Sequence, residues 1–203
     1  MKLFPVVLQV ASEVQCLKGR QKVSLLSKHA RQALRLSADR TGVAPHELLK
    51  DQDDVPLPSG NYYWSVSHKA KYVAAVISTD RTGIDIEEIK PRSQSIFSYV
   101  ASDEEWQLCG GKSLDCLYRY WTAKEAVVKA AGTGLAGMRS CQVVAVPDEN
   151  HITVFYQERL HTVEQLRYDE HIVAVLKNDN EVEWTTPGGH LIPVAAGSRD
   201  TDS

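Results

Sequence analysis

Apolar residues recur at three- and four-residue steps in two long segments of the chain, which is the spacing of one helix face. In residues 24–41 they are Leu25, Leu26, Ala30, Ala33, Leu34 and Ala38, and Gly42 follows as a stop signal. Residues 114–131 have the strongest helical pattern in the chain, and Ser102 followed by Glu105 is typical of a capping box. We therefore predict one amphipathic helix in each half of the chain and a short helix that begins after Ser102.

Shorter runs rich in β-branched, aromatic and aliphatic residues predict strands. They cover residues 3–11, 62–67, 72–78, 83–87, 141–146, 152–156 and 172–176. The runs at 62–67 and 72–78 are separated by four residues and predict a hairpin. The run at 3–11 is far shorter than the roughly 20 residues that cross a bilayer. It is interrupted by Pro5 and is not followed by a signal-peptide cleavage pattern, so we predict a first strand there.

Two segments of the second half resemble segments of the first half, in the same order. Residues 31–44 align with residues 123–136, and residues 72–77 align with residues 171–176. We therefore predict an α+β pseudo-dimer, in which residues 1–80 and residues 81–184 form two similar α+β halves. Residues 185–203, which contain two consecutive glycines and end in small and polar residues, are expected to form a loose tail.

Composition narrows the class of protein further. The chain is 43% hydrophobic and 24% charged with a net charge of −3, so nothing in its overall charge favours nucleic acid or a membrane surface as a partner. Its four cysteines form no pair at metal-binding spacing, and we expect reduced thiols in a cytoplasmic protein. One segment differs: residues 18–40 carry seven Lys or Arg residues against the single acid Asp39. They form either a solvated helix face or a surface for an anionic ligand.

Two carboxylates share one face of the predicted strand at residues 83–87. Asp85 and Glu87 alternate with Ile84 and Ile86, so both acids project to the same side. Like charges held this close favour a bound cation, and oxygen ligands select magnesium or manganese over zinc. A solvated strand face is the simpler alternative for two such residues taken alone.

Two further patterns bear on the same chemistry. Glu125 and Lys129 are one helical turn apart and form either a surface ion pair or a third metal-binding acid beside a phosphate-neutralising lysine. Ser67 and His68 end the first hairpin strand, where they form either a polar turn or a set of donors for an anion.

These motifs, taken in order, resemble those of one enzyme family. Ser-Val-Ser-His (65–68), Gly-Ile-Asp-Ile-Glu (83–87) and Trp-Thr-Ala-Lys-Glu-Ala-Val-Val-Lys (121–129) are similar to the motif set of surfactin-type 4′-phosphopantetheinyl transferases. The resemblance implies a pseudo-dimer with a cleft between its halves, which binds coenzyme A and Mg²⁺, or Mn²⁺ in its place. It implies transfer of the phosphopantetheine arm to a serine of an apo carrier protein and release of adenosine 3′,5′-bisphosphate. A monomer suffices, since one chain supplies both halves.

The resemblance also implies roles for individual residues. Metal ligands would be Asp85, Glu87 and Glu125; phosphate contacts would be Ser67, His68 and Lys129; and Glu105 matches a further acid. The base that activates the carrier serine would be Glu125, Glu105 or a metal-bound water. On the basic helix, Lys28 and Arg31 are candidates for the adenosine 3′-phosphate.

The chain departs from the family pattern at two places. Residues 53–60 lack the Gly-Lys-Pro motif that commonly precedes the Ser-His turn, and Lys69 stands where a serine is frequent. Lys69 or Lys71 is therefore a candidate to replace the missing lysine. Two other functions stay open: a homologue that binds coenzyme A or a carrier without turnover, and a magnesium-dependent phosphohydrolase.

Overall fold

The computed structural model describes residues 1–189 and 191–192, which form an α+β fold. Its helices are α1 (Ser12–Gln15), α2 (Gly19–Thr41), α3 (Ser95–Val100), α4 (Asp103–Gln107) and α5 (Leu114–Ala131), and a 3-10 helix spans Leu135–Ser140. Its strands are β1 (Lys2–Leu3), β2 (Val6–Gln9), β3 (Tyr63–His68), β4 (Tyr72–Ser78), β5 (Ile84–Glu88), β6 (Gln142–Ala145), β7 (His151–Tyr156), β8 (Arg159–Tyr168), β9 (His171–Leu176), β10 (Glu181–Val182), β11 (Trp184–Thr185) and β12 (Leu191–Ile192).

Two five-stranded sheets organise these elements. The first has the order β12-β11-β2-β4-β3 and packs against α2, and the second has the order β5-β9-β8-β7-β6 and packs against α5. In the first sheet β2 leads through α2 to the hairpin β3–β4, and β4 pairs with β2. In the second sheet β5 is followed by α3, α4 and α5 and then by four antiparallel strands, β6–β9, of which β9 pairs with β5. Both long helices end at a glycine in the left-handed conformation, Gly42 and Gly132. In both sheets a strand that follows the long helix pairs with the strand that precedes it.

The faces of the sheets turned away from the long helices form a third core between them. Val7, Ala74 and Val76 from the first sheet pack with Ile84, Ile86, Val173 and Val175 from the second. The edge strands β3 and β5 come together here, since the Ile84 amide donates a hydrogen bond of 3.1 Å to Ser65 Oγ. This approach brings the end of the first hairpin close to the acidic strand.

A glycine sets the spacing between β5 and α5. A Cβ atom at Gly83 would lie 1.9 Å from the Ala126 carbonyl oxygen and 2.8 Å from the Ala130 nitrogen, so no larger residue fits. The close packing also places the inner face of β5 directly against the helix face that carries Glu125 and Lys129.

Most sequence predictions of local structure are confirmed. Helix α5 has the predicted bounds, the hairpin β3–β4 is present, and Ser102 and Glu105 form the predicted capping box. The run at residues 3–11 forms two strands, β1 and β2, with Pro5 between them, and strand β8 was not predicted. In the described part of the chain no helix has the length and apolarity needed to cross a membrane.

The expectation of four reduced thiols is wrong for two cysteines. Cys109 and Cys116 form a disulfide that links the end of α4 to the first turn of α5, while Cys16 and Cys141 are free. The two partners are seven residues apart but face each other because the intervening loop reverses the chain direction. Sequence spacing alone did not reveal this pairing.

The division into residues 1–80, 81–184 and a loose tail at 185–203 stays a prediction. Within the described residues, β10 pairs with β1, and Thr185 of β11 pairs with Val6 of β2. The Trp184 side chain is fully buried and donates a 3.0 Å hydrogen bond to Glu164. This segment therefore returns to the first sheet. His190 and residues 193–203 of the expected tail lie outside the described residues.

Candidate functional site

Three carboxylates from two elements meet where β5 packs against α5. Asp85 and Glu87 point from the same face of β5, as the alternation predicted, and Glu125 faces them from α5. All three are buried, with exposed fractions of 4%, 6% and 8%. Burial is the largest cause that raises the pKa of Glu87 and of Glu125, and the negative charge of Asp85 is the next, which is the electrostatic signature of one cluster. The alternative of a solvated strand face is therefore wrong, because the acids of β5 are buried.

Asp85 lies at the centre of the cluster. Its Oδ1 accepts hydrogen bonds from Lys129 Nζ at 2.6 Å and from Ser67 Oγ at 2.8 Å. Its Oδ2 is buried and has no hydrogen-bond partner in the part of the chain that the structure describes. Lys129 thus pairs with Asp85 across the two elements, and not with Glu125 along its own helix. A buried carboxylate oxygen without a partner is costly, and a bound cation is one way to satisfy it.

Glu87 is paired with a lysine from the hairpin turn. Lys69 Nζ lies 2.6 Å from Glu87 Oε1, with the lysine side chain one-third exposed and the glutamate side chain 7% exposed. Burial is the largest cause of the raised Glu87 pKa, Asp85 adds to it, and Lys69 opposes both. The ion pair therefore favours the ionised form of this buried acid and limits the rise of its pKa.

Of the three carboxylates, that of Glu125 has the most strongly shifted pKa. Burial, followed by the charge of Asp85, raises its pKa to about 7, although Lys129 acts in the opposite direction. Within residues 1–189 and 191–192 no side chain donates a hydrogen bond to its carboxylate. A carboxylate with a pKa near neutrality and free oxygens suits either a metal ligand or a proton acceptor.

The donor set fits a hard divalent cation in its chemistry. Three buried carboxylates and the unpartnered Asp85 Oδ2 are the oxygen ligands that Mg²⁺ and Mn²⁺ prefer. As the side chains stand, no group of three metal-binding residues with ligating geometry occurs among the described residues. Instead, the ammonium groups of Lys69 and Lys129 form ion pairs with two of the acids.

A cavity of about 410 Å³ opens beside the carboxylates and is lined mainly by the first half. Its polar walls are cations, hydroxyls, an imidazole and one acid, from Ser27, Arg31, Lys50, Asp54, Ser67, His68 and Lys129. Lysines thus approach the cavity from both halves of the chain. The pKa of His68 is lowered, chiefly by desolvation and then by the charges of Lys129, Lys69 and Lys50, so the ring tends toward its neutral form.

Lys50 is the residue of this cavity that the sequence analysis missed. It precedes the loop at residues 51–60, which folds back so that Trp64 Nε1 donates a 2.8 Å hydrogen bond to the Leu57 carbonyl. Among the residues that the structure describes, Lys50 Nζ has only the highly exposed Asp54 as an ion-pair partner, at 3.7 Å. Lys50 lies just upstream of residues 53–60, the segment in which the lysine of the family motif is expected, and this proximity was the signal that could have identified it.

The other basic candidates lie in different places. Arg31 lines the cavity, whereas Lys28 is exposed on α2 and is not part of the lining. Lys71 pairs with Asp169 and Glu170, at 3.7 and 3.9 Å, on the second half of the chain. Among the two lysines considered as replacements for the missing one, Lys69 contacts the carboxylate cluster and Lys71 does not.

Glu105 is held in a different environment from the carboxylate cluster. Its Oε1 accepts hydrogen bonds from Lys124 Nζ at 2.6 Å and from the Val143 amide at 2.8 Å, and its Oε2 accepts one from the Ser102 amide at 2.9 Å. The lysine is 2% exposed. Both carboxylate oxygens are therefore engaged, and the sequence analysis did not anticipate the pairing with Lys124.

The family model and the known proteins to which this chain is similar point to the same family. Residues 81–178 match the 4′-phosphopantetheinyl transferase superfamily. The chain is 27% identical over 96 residues to a 4′-phosphopantetheinyl transferase of Bacillus subtilis, covering 45% of this chain and 43% of that protein. It is 30% identical over 122 residues to the 4′-phosphopantetheinyl transferase HetI of Nostoc, covering 53% and 52%. It is 31% identical over 84 residues to the Sfp transferase of Bacillus subtilis strain 168, covering 39% and 37%. The chain thus spans about half the length, or less, of these curated relatives.

Proposed function

Because residues 81–178 match the 4′-phosphopantetheinyl transferase superfamily, we propose that this chain is a phosphopantetheinyl transferase. It transfers the 4′-phosphopantetheine arm of coenzyme A to a serine of an apo carrier protein and releases adenosine 3′,5′-bisphosphate. The two α+β halves act as a pseudo-dimer within one monomeric chain, and the cleft between them holds coenzyme A. The observation that carries the proposal is the unpartnered, buried Asp85 Oδ2 beside a cavity lined by cations.

The charge distribution supports binding of a pyrophosphate at this place. Lys129 bridges the two regions, because its ammonium contacts Asp85 and its side chain also lines the cavity. Arg31, Lys50 and His68 add donors on the cavity side. A phosphorylated nucleotide would therefore lie with its phosphates between the cavity cations and the carboxylates. A divalent cation bound by Asp85, Glu87 and Glu125 would supply charge neutralisation on the phosphate oxygens.

The reaction is attack by the serine Oγ of the carrier on the β-phosphorus of coenzyme A. The new Ser–O–P bond forms while the P–O bond to adenosine 3′,5′-bisphosphate breaks, so the chain contributes mainly alignment and charge stabilisation. Lys129 stabilises the charge on the departing phosphate. Glu125 accepts the serine proton, directly or through water, on an oxygen that does not hold the cation, because no described side chain donates a hydrogen bond to its carboxylate. Glu105 is less suited, since both of its oxygens are engaged.

The first experiment measures the intact mass of several apo carrier proteins after incubation with this chain, coenzyme A and Mg²⁺. We expect a mass gain of one phosphopantetheine arm, and none when EDTA removes the metal. Asp85→Asn should reduce the rate by orders of magnitude, whereas the matched control Asp179→Asn, on an exposed turn, should not. No mass gain on any carrier, with coenzyme A still bound, would favour the binding-only function. Cleavage of coenzyme A without a carrier would favour the phosphohydrolase.

Lys50 is proposed to replace the missing Gly-Lys-Pro lysine as a contact for the 3′-phosphate of coenzyme A. Lys50 lines the cavity with Arg31, and its one ion-pair partner among the described residues is the exposed Asp54, which lines the same cavity. Lys50→Gln should weaken coenzyme A about tenfold, which is the order expected for one charge-assisted phosphate contact. The same variant should bind 3′-dephospho-coenzyme A as the wild type does. An equal loss for both ligands would reject the assignment.

The basic segment supports docking of an acidic carrier. Residues 18–40 form most of α2, and Lys28 and Arg35 are exposed there. Association with the carrier should weaken steeply as salt rises if these charges steer docking, because exposed charges are screened within about 10 Å at 0.1 M salt. If association with the carrier does not change with salt concentration, these residues make only local contacts.

A further inference from the structure

Lys69 lies inside the carboxylate cluster although it belongs to the turn of the first hairpin. Its Nζ is 2.6 Å from Glu87 Oε1, and it does not line the nucleotide-sized cavity that its neighbour His68 borders. In the ligand-free chain, the lysine is therefore placed as a counter-ion for an acid of the proposed metal site. Glu87 forms no other ion pair among the described residues.

An ammonium group and a divalent cation at the same buried carboxylate repel each other, and a metal ion on Oε1 leaves little room for Lys69 Nζ at 2.6 Å. If Glu87 is a metal ligand, as the proposed function requires, a metal that binds through Oε1 weakens or displaces the Lys69 ion pair. The positive charge of Lys69 also opposes the approach of a second cation to the cluster. Lys69 therefore competes with the metal both for space and for charge.

The local structure allows the side chain to leave while the backbone stays fixed. The Lys69 amide donates a 2.8 Å hydrogen bond to the Tyr72 carbonyl, which closes the hairpin turn. The Lys69 side chain is one-third exposed, whereas that of Glu87 is almost fully buried. The long, flexible lysine can therefore rotate toward the adjacent cavity while the carboxylate remains in place.

We propose that Lys69 is an exchangeable counter-ion, which holds Glu87 in the ligand-free chain and passes to a phosphate of the bound ligand when a divalent cation takes Glu87. The inference rests on the proposed location of the metal and pyrophosphate. It predicts that metal and phosphorylated ligand strengthen each other's binding, because each removes the obstacle to the other.

The test measures Mn²⁺ binding to the full chain at pH 8, from the electron paramagnetic resonance signal of free Mn²⁺, in the absence of nucleotide. Lys69→Gln should bind Mn²⁺ about tenfold more tightly than the wild type, since the competing ion pair is lost. The matched control is Lys90→Gln, which removes an exposed lysine paired at 3.5 Å with Glu88 on the same strand. Lys90→Gln should bind Mn²⁺ as the wild type does. Circular dichroism and urea midpoints verify that both variants are folded.

The second half of the test measures coenzyme A binding by calorimetry, with and without saturating Mn²⁺, after correction for Mn²⁺ bound to the nucleotide in solution. In the wild type Mn²⁺ should tighten coenzyme A binding, and in Lys69→Gln this enhancement should be several-fold smaller. Equal or weaker Mn²⁺ binding by Lys69→Gln, or an unchanged enhancement, would overturn the proposal.

These readouts separate the inference from the proposed activity. Tighter Mn²⁺ binding by Lys69→Gln and a reduced enhancement would support the counter-ion role even if no carrier protein were modified. If the wild type modifies a carrier but Lys69→Gln binds Mn²⁺ no more tightly than the wild type, the transferase activity is upheld and the exchange of Lys69 is rejected.

Discussion

Removing the Glu105 carboxylate should destabilise the protein before it affects any chemistry. The acid contacts Lys124 Nζ and two backbone amides, from Val143 and Ser102, all within 2.9 Å. In Glu105→Ala the Lys124 ammonium stays buried at 2% exposure, with the Val100 carbonyl as its remaining acceptor. Breaking a buried pair in this way costs about 3–5 kcal/mol.

Loss of the capping-box contact to the Ser102 amide adds to this, since helix caps contribute about 1 kcal/mol. The total of about 4–6 kcal/mol is comparable to the whole stability of a small domain, about 5–15 kcal/mol. Urea unfolding followed by circular dichroism measures it, with the slope m expected to stay unchanged.

The double variant Glu105→Leu with Lys124→Met removes both charges and keeps the side-chain volumes. It should recover most of the lost free energy of unfolding, because the unpaired ammonium is gone. A cost below about 1 kcal/mol for Glu105→Ala, or a double variant as unstable as the single one, would refute the structural role. Full stability together with lost transferase activity would return Glu105 to the candidates for the base.

Three further predictions concern other parts of the fold. The pKa of Glu125 is raised from 4.5 to about 7 in the folded state. Its contribution to the unfolding free energy is therefore fully present below pH 4.5 and is lost as the pH rises through 7. Metal-free wild type should therefore lose about 3 kcal/mol of unfolding free energy relative to Glu125→Gln between pH 4.5 and 8 in urea titrations; parallel curves would contradict this. Reduction of the Cys109–Cys116 disulfide with dithiothreitol should lower the unfolding free energy of the wild type by about 2 kcal/mol. The unfolding free energy of the Cys109→Ser/Cys116→Ser variant should not change with dithiothreitol. Gly83→Ala should cost more than about 3 kcal/mol, measured in the same way, because its Cβ would overlap the Ala126 carbonyl; a tolerated alanine would show that α5 can move away from β5.

Local patterns determined the parts of the site that lie on one element. The period of two placed Asp85 and Glu87 on one face of β5, and the period of 3.6 placed Glu125 and Lys129 on one face of α5. Both patterns are read from neighbouring residues, so they do not depend on the rest of the fold. The capping box at Ser102 was predictable for the same reason.

Strand β8 shows where local pattern failed. Its residues mix long polar and apolar side chains, and Glu164 and Gln165 are buried there by hydrogen bonds to distant partners. Polar residues at buried positions weaken the alternation that marks a strand. Only the pairing of β8 with β7 and β9 makes this segment a strand.

By itself the sequence determined the long helices, the first hairpin and the acids that share a strand face, because these follow from spacings of two to four residues. The tertiary structure alone decided which cation meets which carboxylate: Lys129 pairs with Asp85, Lys69 with Glu87 and Lys124 with Glu105. It also brought Lys50 to the cavity. The partners in these three pairs are 18 to 44 positions apart. The packing of whole elements therefore sets the distances between them, and no local pattern in the chain encodes those distances.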